Sequence, residues 1–139
     1  MTATGSCLCG EVKFTATPAE NKVGVCHCDI CRTQTAGPFF GIDCGDSLEI
    51  EDTPFFGIYR SSEWAERGFC KKCGTVIFWR THDKELNIIS VDTLKGLENL
   101  TLDHEVFIDS KPDYYNFAEK THKMTGQEVF DAFAAGKDS

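Results

Sequence analysis

Seven of the eight cysteines fall into three tight groups: Cys7-Leu8-Cys9, Cys26-His27-Cys28-Asp29-Ile30-Cys31 and Cys70-Lys71-Lys72-Cys73-Gly74. Only Cys44 stands alone. This spacing constrains the fold, because each group must aim its sulfur atoms at a common centre. In an extended strand side chains alternate, so Cys7 and Cys9 share one face, as do Cys26 and Cys28, while His27 turns the other way. The Cys70 to Cys73 spacing followed by Gly74 predicts a knuckle turn, in which two thiolates converge and glycine supplies a backbone shape that other residues resist.

Zinc favours tetrahedral thiolate sites, closed by four protein ligands when structural and left with three when a position must admit substrate. Seven clustered cysteines divide as four plus three, which points to two zinc ions, one structural and one with a vacant position. The alternative is a pair of closed sites, with Cys44, His27 or a distant histidine completing the second. Spacing does not decide which groups pair. Disulfides belong to oxidising compartments, and Met1-Thr2-Ala3-Thr4-Gly5 carries neither the charged start nor the apolar run of a secretory signal. A cytoplasmic location is expected.

The partners narrow by charge. Fourteen basic against twenty-two acidic residues give a net charge of -8, a field that repels phosphate backbones and anionic lipid surfaces. Neither nucleic acid nor a membrane is an expected partner, and no apolar run approaches the roughly 18 residues that span a bilayer.

The 139 residues suit one domain, 1–139, with one core. Short β-rich runs separated by Gly, Pro, Asp or Asn are predicted at 11–17, 23–28, 39–44, 47–51, 56–60, 65–70, 75–80, 86–91 and 105–108. Such regular spacing predicts a mainly β fold of small antiparallel sheets. A helical turn is also placed after Cys31, from Arg32 to Ala36. One short C-terminal helix closes the chain at about 126–135. Thr125 and Glu128 form its capping box, and Val129, Phe130 and Phe133 fall on one face.

Three segments carry a family resemblance: Gly5-Ser6-Cys7-Leu8-Cys9-Gly10-Glu11-Val12, Cys26-His27-Cys28-Asp29-Ile30-Cys31-Arg32 and Arg67-Gly68-Phe69-Cys70-Lys71-Lys72-Cys73-Gly74-Thr75. Over roughly residues 5–115 the chain resembles the glutathione-dependent formaldehyde-activating enzyme family, which includes centromere protein V. A later His104-Glu105-Val106-Phe107 with Lys111 resembles the family's closing segment, which usually carries a tryptophan where this chain has Tyr114 and Tyr115. The resemblance implies a zinc-stabilised β-tent. It implies a structural zinc on Cys7, Cys9, Cys70 and Cys73, and a second, catalytic zinc on Cys26, Cys28 and Cys31. It also implies glutathione as the small-molecule thiol and formaldehyde as the aldehyde.

The metal chemistry leads to the same reaction type. Three thiolates make zinc a weak Lewis acid, better suited to take a fourth thiolate than to activate water. A substrate thiol held there becomes a nucleophile for an aldehyde carbonyl, which is the chemistry of a carbon-sulfur lyase. Glutathione is itself anionic, so a local cation is required, and Arg32 beside Cys31 is the candidate substrate-binding residue. His27 is a candidate proton shuttle for the adduct oxygen, against the plainer reading of a locally hydrogen-bonded histidine. The rival functions are a non-catalytic thiol carrier, a zinc-stabilised protein-interaction module, and thiol-disulfide exchange through Cys70 and Cys73.

Overall fold

The computed structural model describes residues 1–137. Its elements in chain order are β1 (Ala3–Ser6), β2 (Lys13–Ala16), β3 (Lys22–Cys26), α1 (Asp29–Thr35), β4 (Phe39–Asp43), β5 (Glu49–Ile50), β6 (Phe56–Tyr59), β7 (Ala65–Cys70), β8 (Val76–Thr81), β9 (Asn87–Ser90), β10 (Leu94–Lys95), β11 (Thr101–Val106), β12 (His122–Met124) and α2 (Gly126–Lys137). The fold is mainly β, and the chain forms two compact, discontinuous units. No helix among the described residues is long and apolar enough to cross a membrane.

The first unit comprises Met1–Asn21 and Gly41–Leu100. It holds a four-stranded sheet in the order β10-β1-β2-β5 and a run of strands β9-β8-β7-β6, with the last residues of β4 alongside β9. Every pairing here is antiparallel. Strand alternation explains the packing: along β2, Phe14 and Ala16 are buried while Lys13 is exposed, and Ile77, Phe78 and Ile89 are fully buried. Phe78 packs against Phe56 at 5.9 Å and carries the Arg80 guanidinium 4.6 Å from its ring centre.

The second unit comprises Lys22–Phe40 and the chain from Thr101 onward. Its strands lie in the order β12-β11-β3, and both pairings are parallel. The expected antiparallel arrangement therefore holds in the first unit and not in this one. Alternation tells which face a residue takes but carries no sign for strand direction, so the parallel register has no local signature.

The closing helix starts where the sequence places it. The Thr125 amide donates to the Glu128 side chain at 3.0 Å and the Glu128 amide to the Thr125 hydroxyl at 3.2 Å, which is the reciprocal capping box. Val129 is buried and Phe130 meets Phe107 edge-on at 5.8 Å. The turn after Cys31 is a full helix, α1, that begins earlier than expected, at Asp29.

One ion-pair network in the first unit responds to acid. Glu66 accepts from Arg80 Nε at 2.9 Å and pairs with His82 Nδ1 at 3.0 Å. Burial pushes the Glu66 carboxyl up, but His82 and Arg80 outweigh it and hold the group below its ordinary value of 4.5. A depressed carboxyl pKa contributes stability that is present above the unfolded value and is lost as pH falls through the folded one. Urea midpoints measured from about pH 7 down to about pH 3 should therefore fall less steeply in Glu66→Gln than in the wild type.

Candidate metal centres

The structure gathers the cysteines into two groups. In the first unit the Sγ atoms of Cys7, Cys9, Cys70 and Cys73 lie within 4.8 Å of one another, and in the second unit those of Cys26, Cys28 and Cys31 do the same. All eight cysteines are free thiols.

The four-cysteine group is built from two similar turns. Cys7 and Cys9 are not in a strand, as alternation suggested, but in the turn that follows β1, where Gly10 donates to the Cys7 carbonyl at 3.2 Å. Cys70 ends β7, and Gly74 donates to its carbonyl at 2.9 Å, closing the expected knuckle. Gly10 and Gly74 adopt φ of 83° and 81°, a region that a side chain resists. The Val12 and Cys73 amides donate to the sulfurs of Cys7 and Cys70 at 3.3 and 3.4 Å. Thr75 ties the turns together: its hydroxyl accepts from the Leu8 amide at 3.0 Å and lies 3.1 Å from the Cys73 sulfur.

The sulfurs of Cys7 and Cys9 are 3.6 Å apart, and those of Cys9 and Cys70 3.7 Å. The spacing is far beyond the roughly 2.05 Å of a disulfide. Crowding polarises the thiols. The Thr75 hydroxyl and amide pull Cys73 down to about 5. Cys7 is also lowered: burial pushes it up, and bonds from the Val12 amide, Cys9 and Cys70 outweigh that. Cys9 is pushed up to about 12, since the lowering bond from the Glu11 amide is outweighed by burial and the neighbouring thiols. Four thiolates cannot share this space without a cation, so the donor set suits a metal ion. Lys72 pairs with Glu11 at 3.3 Å.

The three-cysteine group straddles the end of β3 and the start of α1. Cys26 is the last residue of β3, whereas Cys28 is the N-cap of α1 and its sulfur accepts from the Cys31 amide at 3.4 Å. A turn into a helix, not strand alternation, brings them together. Cys26 is strongly raised, first by its bonds to Cys28 and Cys31 and then by burial. Among the described residues no Cys, His, Asp or Glu atom joins these three as a fourth donor. Cys44 is buried away from both groups, with its thiol pushed up to about 12 by burial.

His27 is fully buried, and both ring nitrogens are engaged. Nε2 lies 2.8 Å from Glu105 Oε1 and Nδ1 lies 2.7 Å from the Tyr115 hydroxyl. Glu105, 2% exposed, also accepts a short hydrogen bond from the Thr121 hydroxyl. Burial raises the Glu105 carboxyl, but Thr121, His27 and Lys123 outweigh it and hold the group below the usual range. Phe117 packs on His27 at 6.0 Å and on Phe40 at 5.6 Å. Arg32 donates from Nε to the His27 carbonyl at 2.9 Å and from Nη2 to Asp29 at 2.5 Å. Sequence reasoning missed Glu105, Phe117 and Thr121 as part of this group and saw Tyr115 only as a departure from a pattern.

The profile of the family described as "Glutathione-dependent formaldehyde-activating enzyme" matches residues 2–110. The chain belongs to this family. Its matched span covers both cysteine groups, Arg32, His27 and Glu105, and ends before Tyr115. A Schizosaccharomyces pombe protein named as an uncharacterized lyase is 40% identical over 126 residues, covering 90% of this chain and 92% of its own. A Rhodobacter sphaeroides protein of known crystal structure shares the fold, with a TM-score of 0.58 at 19% identity over 70% of this chain and 96% of that one.

The buried pair of His27 and Glu105 predicts its own cost. Glu105→Leu leaves the His27 Nε2–H without an acceptor inside the second unit, so the variant should lose about 1–3 kcal/mol of stability, measured by urea denaturation of the metal-loaded protein.

Proposed function

We propose that this chain is a zinc-dependent carbon-sulfur lyase that joins a small thiol, glutathione by family, to an aldehyde such as formaldehyde. Membership of the family and the lyase relative support the class of activity. The observation that carries the finer reading is the division of the cysteines into one group of four and one of three.

Zinc fits both donor sets. A tetrahedral zinc with Zn–S near 2.3 Å requires sulfurs about 3.8 Å apart, and the separations of 3.6 and 3.7 Å in the first group are close to that edge. Cys7, Cys9, Cys70 and Cys73 would hold a structural ion that fastens the end of β1 to the end of β7. Cys26, Cys28 and Cys31 would hold the second. When bound there, zinc supplies a fourth position that takes a thiolate and lowers the pKa of the thiol it receives.

In the reaction a carbon-sulfur bond forms between the thiol and the carbonyl carbon, the carbonyl π bond opens, and the proton lost by the thiol ends on the oxygen. The product is an S-hydroxymethyl thioether when the aldehyde is formaldehyde. Arg32 provides a cation for a substrate carboxylate, although Asp29 shares it. The free thiols fit a reducing compartment such as the cytoplasm.

The wild type should carry two zinc ions per chain by plasma mass spectrometry and accelerate S-hydroxymethylglutathione formation over the uncatalysed rate. Cys28→Ser should carry one zinc, remain folded and show no acceleration. Cys70→Ser should lose its fold, because structural zinc contributes roughly 10–16 kcal/mol against a typical stability of about 5–15 kcal/mol. A fully zinc-loaded wild type with no acceleration would exclude the lyase.

A further inference from the structure

Two of the four sulfurs in the first unit face outward: Cys9 is exposed and Cys73 half-buried, while Cys7 and Cys70 are buried. Their partners differ. The Cys9 sulfur takes its bonds from the Glu11 amide and from the sulfurs of Cys7 at 3.6 Å and Cys70 at 3.7 Å. The Cys73 sulfur lies 3.1 Å from the Thr75 hydroxyl. On its other side that hydroxyl has a fixed direction, because a backbone N–H can only donate and the Leu8 amide reaches Thr75 Oγ1 at 3.0 Å. One lone pair is thus taken, and the hydroxyl proton is free for the sulfur beside it. A sulfur that coordinates a metal has given up its own proton, so in the loaded site the bond runs one way, from Thr75 oxygen to Cys73 sulfur.

We propose that Thr75 shields the Cys73 thiolate from carbon electrophiles, aldehydes among them, so that the four-sulfur site keeps its metal in the presence of a reactive carbonyl. The inference rests on the reading of Cys7, Cys9, Cys70 and Cys73 as metal ligands and adds to it a residue that protects one of them. The attack it opposes uses a lone pair that a coordinated sulfur still has. A carbon-sulfur bond forms, the carbonyl π bond opens and its oxygen takes a proton from water. The sulfur, now a thioether, is lost as a thiolate donor, and the fastening of β1 to β7 weakens. A hydrogen bond to a thiolate engages that lone pair and is stronger than one between neutral groups.

The likeness of the two turns isolates what Thr75 adds. In the first, the Cys7 amide donates to the Val12 carbonyl at 3.0 Å, and in the second the Cys70 amide donates to the Thr75 carbonyl at 2.9 Å. Val12 and Thr75 therefore hold matching places, and both are β-branched. The turn tolerates either shape, and the hydroxyl is the difference. Thr75 is also held in place, since turning it away would break the bond from the Leu8 amide. Cys73 is held from the same turn by its amide, which donates to the Cys70 sulfur at 3.4 Å.

The test uses the full chain loaded with zinc, as wild type, Thr75→Val and Thr75→Ser. Each is treated with less than one equivalent of N-ethylmaleimide, whose alkene carbon bonds to sulfur while its neighbour takes a proton from water. Peptide mass mapping then gives the ratio of label on Cys73 to label on Cys9, the outward sulfur without a hydroxyl. That ratio should rise about 10-fold in Thr75→Val, the scale of one hydrogen bond to a charged group, and return to the wild-type value in Thr75→Ser. In cadmium-loaded protein the cadmium-113 resonance of the four-sulfur site should move in Thr75→Val and stay in Thr75→Ser. A merely structural Thr75 would loosen both turns and raise the label on Cys9 and Cys73 together. That result, or an unchanged ratio in loaded Thr75→Val, overturns this inference and leaves the metal reading standing. A wild type that takes up no metal at the four cysteines overturns the metal reading and this inference with it.

Discussion

The fold of the first unit depends on the convergence of four sulfur atoms from turns more than sixty residues apart in sequence. Apolar burial there rests on short strands, several of only two to four residues, and short strands bury little area each. The cluster supplies what they lack. It fixes the exit of β1 against the exit of β7, and Thr75 adds a direct hydrogen bond from the Leu8 amide to the same corner. Concentrating like charge is unfavourable unless a cation balances it, so the geometry that organises the unit also makes it able to hold a metal ion.

The same electrostatic constraint operates in the second unit with one donor fewer. Cys26, Cys28 and Cys31 occur within six residues, and the change from β3 to α1 is what aims them together. The helix contributes in a specific way, because the Cys28 sulfur takes the place of an N-cap oxygen and accepts from the Cys31 amide. His27, between two of these cysteines, is turned into the interior and anchored to β11 through Glu105. One short segment therefore presents sulfur on one side and a buried imidazole on the other.

The cysteine groups, the knuckle at Gly74 and the capping box of α2 were legible because each is a local pattern with a local chemical reason. The reason given for the spacing was less accurate. Cys7 with Cys9, and Cys26 with Cys28, converge through turns and not through alternation in a strand. The strands β1, β10 and β12 were missed because Ala3–Ser6, Leu94–Lys95 and His122–Met124 are too short or too polar to show a period of two. Glu105 and Tyr115 could not be joined to His27 from sequence, since 78 and 88 residues separate them and only the parallel pairing of β3 with β11 brings the first of them near. Glu105 did lie in a segment matched by pattern, but a buried carboxylate has no signature that distinguishes it from an exposed one.

Charge sets a further limit on how a ligand reaches the three-cysteine site. The chain carries -8 before any thiolate is counted, and the cation nearest in sequence, Arg32, is already bonded to Asp29 and to the His27 carbonyl. Long-range steering of an anionic thiol is therefore unfavourable, and any attraction must come from short-range terms. Those proposed are sulfur coordination at the three cysteines and the Arg32 guanidinium that Asp29 shares. Short-range terms discriminate by shape and hydrogen-bond geometry, and so on the proposed reading specificity is set by the groups that surround the three sulfurs and not by the net charge of the chain.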